Sequence, residues 1–263
     1  MLILHHMAAS LYSQRVRLVL AEKDLTWQSA LVAPAMFRDP AYLGLNPAGV
    51  VPTLEHDGHV FVESRIICEY LEDAFPWTPM IPANARDRYT VRRWAKICDD
   101  DLYMAVFVLT FMTWMRGRYL DLSPEARVSA LPGLADPVKR RVAQDLVDRG
   151  WDSHIIPIAL GHVVRTIDRL DEALEELRWL GGEHYSFADC DLLAAVQRID
   201  DLGLSPVWDE RARVAGWFDR ARSRPSFDTA IAAWRDEETS RRQADQREAV
   251  SERFAGVLAS VRE

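Results

Sequence analysis

Residues 50–66 read Val-Val-Pro-Thr-Leu-Glu-His-Asp-Gly-His-Val-Phe-Val-Glu-Ser-Arg-Ile. Asp57-Gly58 is the pair that best tolerates the two left-handed positions of a type I′ turn, so Pro52 to Glu55 and Val60 to Glu63 are expected to pair as an antiparallel hairpin. From Ser64 the apolar period lengthens. Ile67, Tyr70 and Leu71 fall on one face of a helix running to Phe75. Working back towards the start, Leu2 to His5 is a short apolar run. Val16, Val19, Leu20 and Lys23 recur at helical spacing over Ser13 to Lys23, and Trp27 to Val32 reads as a second strand. Strand, helix, strand in that order pairs in parallel with a right-handed crossover.

The order β-α-β, loop, β-β-α is that of a thioredoxin-like domain, closing near residue 76. Pro76, Pro79 and Pro82 cannot continue a helix and mark a linker. From Ala85 strand signals almost vanish, and helices are expected near 86–118, 136–149, 153–177, 186–202, 211–222 and 227–258. Ser123 to Leu134 contains two prolines and is expected to be loop. Ser186 with Asp189 three residues on is a capping-box-like helix start. Arg235 to Glu263 reads as a long amphipathic helix packed on its domain. The fold class is therefore α/β followed by all-α: a thioredoxin-like domain over 1–76 and an all-helical domain over 83–263.

Composition narrows the function. The chain has 263 residues, 49% hydrophobic and 27% charged, with a net charge of -8, which disfavours a nucleic-acid grip. Apolar runs fall short of the roughly 20 residues of a membrane helix. The first residues lack the basic start and small-residue cleavage site of an export signal. Cys68, Cys98 and Cys190 form neither a disulfide framework nor a zinc pattern, which fits a reducing cytoplasm. No histidine spacing points to a metal site: His5-His6 sit at a strand end, His56 and His59 straddle the hairpin turn, and His154 and His162 are two helical turns apart. The expected ligand is a small molecule.

The chemistry-bearing stretch is Ser10-Leu11-Tyr12-Ser13-Gln14-Arg15-Val16-Arg17, which sets two hydroxyls at the start of the first helix. Exposed amides and the positive dipole end favour an anion there, a thiolate included, and a hydroxyl adds a hydrogen bond to sulfur. By itself the pattern also suits a plain N-cap.

Three stretches decide between these: the helix-start serine, Asn46-Pro47-Ala48-Gly49-Val50-Val51-Pro52-Thr53-Leu54, and Glu63-Ser64-Arg65-Ile66-Ile67-Cys68-Glu69-Tyr70-Leu71. Together, in this order, they resemble the cytosolic glutathione transferases. Ser186 with Asp189, and Arg224-Pro225-Ser226-Phe227, match that family's later motifs. The resemblance implies glutathione as co-substrate, a hydrophobic electrophile as second substrate, and a homodimer. Ser10 is then the thiol-activating residue, with Tyr12 and Ser13 as fallbacks. Pro52 is the cis-proline that turns the Val51 main chain towards the cysteinyl part of glutathione. Glu63 meets the γ-glutamyl ammonium, and Ser64 takes its carboxylate.

Three departures stand out, the first being one more residue between the His5-His6 strand end and Ser13 than many bacterial relatives have. Met7 replaces a frequent proline, and Val50 stands where the family commonly has a long polar residue, so Arg38 is the candidate cation for the glycyl carboxylate. No cysteine lies before the first helix, which disfavours thioltransferase chemistry. Ile67 to Pro76, Ile81-Pro82-Ala83 and the long stretch from Asp121 to Trp151 are similar to the glutathione-dependent β-aryl etherases of lignin-degrading bacteria. In the helix after the linker Tyr103, Phe107, Thr110, Phe111, Trp114 and Arg118 recur at three- or four-residue steps. Tyr103, Phe107, Phe111 and Trp114 are the candidate electrophile-binding residues, against the alternative that the stripe is core. The rival function is a non-catalytic, protein-binding scaffold on the same fold.

Overall fold

The computed structural model describes residues 1–130 and 136–262. By packing the chain forms two compact units: residues 1–96, 176–194 and 217–235, and residues 97–175, 195–216 and 236–263.

The first unit is built on a mixed four-stranded sheet. β1 (Leu2–His6) pairs in parallel with β2 (Trp27–Leu31) and antiparallel with β3 (Thr53–His56), which pairs with β4 (His59–Val62) in the order β2-β1-β3-β4. The hairpin turn has both central residues at positive φ, Asp57 at 48° and Gly58 at 82°, as a type I′ turn requires. α1 (Leu11–Glu22) makes the crossover, and α3 (Ser64–Ala74) follows the hairpin. The stretch between β2 and β3, expected to be loop, contains a 3₁₀ turn (Pro34–Arg38) and a short helix, α2 (Pro40–Leu45). The Asp39 carboxylate accepts from the Ala41 amide at 2.8 Å, and Pro40 needs no amide partner at the first helical position.

α4 (Ala85–Ile97) begins the long helix expected over 86–118. The helical path continues through a π turn (Cys98–Leu102), α5 (Tyr103–Thr110), a second π turn (Phe111–Met115) and α6 (Arg116–Leu120). Part of Ser123 to Leu134 corrects the loop expectation: α7 (Pro124–Ala130) is helical, with the Ser123 hydroxyl accepting from the Ala126 amide at 3.2 Å. Residues 131–134 of that stretch lie outside the described residues. Then follow α8 (Pro137–Arg149), α9 (Ile155–Ala173), α10 (Phe187–Asp201) and α11 (Ala212–Arg222).

The single helix expected over 227–258 is broken. α12 (Pro225–Ala230) gives way to a 3₁₀ turn (Ala232–Trp234), and α13 (Glu237–Arg262) restarts where Asp236 accepts from the Thr239 amide at 2.8 Å. At the head of α10, the buried Asp189 carboxylate accepts from the Ser186 amide and hydroxyl, the Leu180 amide and the Trp217 indole. Burial still raises its pKa, so it ties that turn down at a desolvation cost.

Candidate functional site

Ser10 is the N-cap of α1, with extended backbone and a half-buried side chain. Its Oγ accepts from the Ser13 amide at 3.3 Å, so the hydroxyl's own proton stays available for donation. No acidic residue occupies the first turn of α1, and its positive end is not neutralised by the helix itself. Ser13 is fully buried, and its Oγ accepts from the Met7 amide at 3.4 Å. Of the two serines, only Ser10 combines the N-cap position with accessibility. Tyr12 is half-buried.

Met7 packs against a cluster of Val32, Tyr42 and Val51, together with Phe37 and Leu45. That contact brings the lead-in to Ser10 beside the Val51–Pro52 bond, which is cis. The turn before it is fixed by groups the sequence reading did not single out. Tyr42 Oη donates to the Val50 carbonyl at 2.6 Å and Asn46 Nδ2 to the same oxygen at 2.8 Å, and both side chains reach Thr53 Oγ1 at 3.1 Å. Burial raises the Tyr42 pKa, which keeps the hydroxyl a donor. Gly49 sits at φ 61°, where an added Cβ would lie 2.6 Å from the Phe37 carbonyl oxygen; only glycine closes this turn. Arg38, at the end of the 3₁₀ turn, is exposed.

Glu63 joins β4 to α3 with φ 68° and ψ 105°. A non-glycine residue there costs on the order of 1–3 kcal/mol and persists where its surroundings impose it. No side chain caps α3. Ser64 is buried, and its Oγ accepts from Arg15 Nη1 at 3.2 Å, which leaves its proton for a further acceptor. Arg15 Nε pairs with Asp191 Oδ1 at 2.6 Å, and Arg65 Nη1 with Asp191 Oδ2 at 3.0 Å. Thus a nearly inaccessible carboxylate from α10 holds one cation from α1 and one from α3. The signal for this was an arginine embedded in an apolar helix, without a sequence clue to its partner.

In the second unit Tyr103, Phe111 and Trp114 are buried, while Phe107 and Thr110 are partly accessible. Phe107 and Phe111 have ring centroids 6.1 Å apart, and the Arg198 guanidinium lies 4.7 Å over the Trp114 ring. Most of the stripe is therefore helical core. The cysteines are free and buried, and burial pushes the Cys68 thiol up to about 12, far from a reactive thiolate. Among the described residues, no group of three His, Cys, Asp or Glu side chains is arranged to hold a metal ion. None of the described helices is long and apolar enough to cross a membrane.

Two family descriptions match: "Glutathione S-transferase, N-terminal domain" over residues 4–79 and "Glutathione S-transferase, C-terminal domain" over residues 143–220, together more than half of the chain. The chain belongs to the glutathione S-transferase family. Members of this family use glutathione as co-substrate. Glutathione S-transferase TCHQD of Arabidopsis thaliana is 27% identical over 238 residues, 88% of this chain and 90% of its own. Protein LigF of Sphingobium sp. strain SYK-6 is 27% identical over 232 residues, covering 85% and 90%. The crystal structure of beta-etherase LigF superposes with a TM-score of 0.78 at 24% identity, over 88% of this chain and 99% of that one. A stringent starvation protein A homolog of Haemophilus ducreyi is 35% identical over 225 residues, 84% of this chain and 85% of its own. Within the glutathione S-transferase fold, the Ser10, Val51–Pro52 and Glu63–Ser64 segments all fall inside the matched N-terminal domain.

Proposed function

We propose that this glutathione S-transferase is of the serine type and holds the glutathione sulfur as a thiolate on Ser10 for attack on a hydrophobic, aromatic electrophile. The observation that carries the reading is the half-buried Ser10 hydroxyl at the head of α1, its oxygen already accepting from the Ser13 amide and its proton free to donate. An O–H donor and an unneutralised helix end both favour the anionic sulfur.

The rest of the tripeptide follows from the neighbouring groups. The Val51 amide and carbonyl meet the cysteinyl main chain, and the network on Val50 keeps that segment in place. Ser64 and the uncapped head of α3 take the γ-glutamyl carboxylate, and Glu63 its ammonium. Arg38 pairs with the glycyl carboxylate. Residues 1–76 serve as the glutathione-binding domain and 83–263 as the substrate domain, in which Phe107, the partly accessible ring of the aromatic stripe, meets the electrophile, while the buried Tyr103, Phe111 and Trp114 belong to the core of that helix. Holding both reactants supplies several kcal/mol towards the barrier.

The sharper form of the proposal is β-aryl ether cleavage: the sulfur–carbon bond forms, the ether carbon–oxygen bond breaks, and a phenolate leaves. Its support is the likeness to LigF across most of both chains. Glutathione-dependent release of free phenol from a β-aryl ether is the expected result; turnover of unrelated electrophiles alone overturns it. The exposed Val60, Val62 and Ile66, on edge strand β4 and the outer face of α3, support a homodimer, which sedimentation tests.

The scaffold reading keeps one specific support. The relative at 35% identity has a name that states no transferase chemistry, and Met7 and Val50 depart from the family's usual residues. Calorimetry with glutathione separates the two: binding supports the enzyme, and its absence the scaffold.

A further inference from the structure

Arg17 lies on α1 two residues beyond Arg15, equally buried at 1% exposure, yet it has no carboxylate partner among the described residues. Its guanidinium is held by neutral acceptors. Nε donates to the Ala230 carbonyl at 2.7 Å, Nη1 to His6 Nδ1 at 3.0 Å and the Met7 carbonyl at 3.3 Å, and Nη2 to the Ala8 carbonyl at 2.9 Å. Because His6 Nδ1 accepts, its Nε2 carries the proton and donates to Ser29 Oγ at 2.8 Å, so the ring is neutral. The Trp234 ring lies 5.2 Å from the guanidinium and edge-on to His6. The nearest titratable neighbours on β1 are His6 and His5, and His5 is engaged by Glu55 at 2.6 Å. Burial draws the Arg17 pKa down to about 9, which leaves it a cation at neutral pH.

A buried, unneutralised cation is expensive, and two of its acceptors explain where it acts. Met7 and Ala8 lead directly to Ser10, and the Met7 carbonyl that accepts from Arg17 also accepts from the Ser10 amide at 3.1 Å. One carbonyl therefore links the guanidinium to the backbone of the N-cap.

We infer that Arg17 is a positioning residue for thiol activation: its planar fork turns the Met7 and Ala8 carbonyls inward and so fixes Ser10 at the head of α1, while its charge, met by no carboxylate, favours an anion at that end of the helix. This rests on Ser10 being the activating residue. Lysine would keep the charge but lose the fork, and glutamine would lose both.

The test is the thiolate absorbance of glutathione bound to the full chain, followed across pH in the unmodified protein, Arg17→Gln, Arg17→Lys and Ser10→Ala, with thermal unfolding in parallel. The expected result is a bound-thiol pKa raised by about one unit, a tenfold loss of thiolate at pH below both values, in Arg17→Gln, and by less in Arg17→Lys. A purely structural role would lower the melting temperature and leave the thiol pKa in place; that result in either folded variant overturns the inference. If Arg17→Gln does not fold, Arg17→Lys decides. An unmodified protein with no lowered thiol pKa, or one whose lowered pKa survives Ser10→Ala, overturns the reading of Ser10 and the inference with it.

Discussion

Helix α1 starts behind a serine whose side chain already closes one first-turn amide, whereas α3 starts behind Glu63, whose left-handed backbone leaves the first turn without a side-chain cap. At α1 the proposed functional group is a hydroxyl with one proton to give, set on the carbonyls that Arg17 holds. At α3 it is a row of unused amides beside a hydroxyl held by Arg15, with the Asp191 ion pairs behind it. The first arrangement suits a single polarisable atom, the second a planar carboxylate that accepts several bonds. Two ends of one kind of secondary structure are thus differentiated by what stands one residue before each helix.

The largest effect is expected at the ion pairs behind α3. Asp191→Ala strands two arginines, one fully buried, and is expected to cost about 3–5 kcal/mol in stability, measured by denaturant unfolding. Acid should act on the α1 side instead. His6, buried and beside Arg17, has its pKa lowered from 6.5 to about 4. Between those values the unfolded chain binds more proton, so stability falls as pH drops through that window, by at most about 3 kcal/mol, and levels below it. Unfolding curves from pH 7 to 4 should show this slope, and His6→Gln should flatten it. Ser64→Ala should raise the glutathione KM about tenfold with little change in kcat, since a bond to the bound carboxylate is lost in ground and transition states alike. The smallest effect is expected from Ser13→Ala: about 1 kcal/mol of stability for the bond from the Met7 amide, with turnover kept within a few-fold. A large loss of turnover in that variant would blur the distinction between the two serines.

The hairpin, the parallel crossover and the helix following Glu63 were legible because each rests on a local signal: a turn pair, a period of two, a period near 3.6. α1 was legible as a helix but not in its burial. Every residue from Ser13 to Leu20 is buried, Arg15 and Arg17 among them, whereas an amphipathic pattern assigns charges to the solvent face. Lys23 is likewise inaccessible, with Nζ donating to the Phe75 and Thr78 carbonyls at the end of α3. Each of these charges has at least one partner on an element far along the chain, Asp191 for Arg15, the Ala230 carbonyl for Arg17 and the Phe75 and Thr78 carbonyls for Lys23, and no spacing rule reaches them. The break after Ala230 was hidden for a related reason. Trp234 leaves helical register to cover the Arg17 and His6 cluster, a tertiary contact that outweighs the helical propensity of its neighbours.

Ser10, at the head of α1, is expected to lower the pKa of a bound glutathione thiol. The most direct test is the ultraviolet absorbance of the thiolate in the glutathione complex, titrated in the unmodified protein and in Ser10→Ala. The expected result is a thiolate that forms well below the usual thiol range near 8.5 and a titration shifted up by a unit or more in the variant. A variant that titrates like the unmodified protein would contradict it and move the role to Tyr12, Ser13 or the helix end itself.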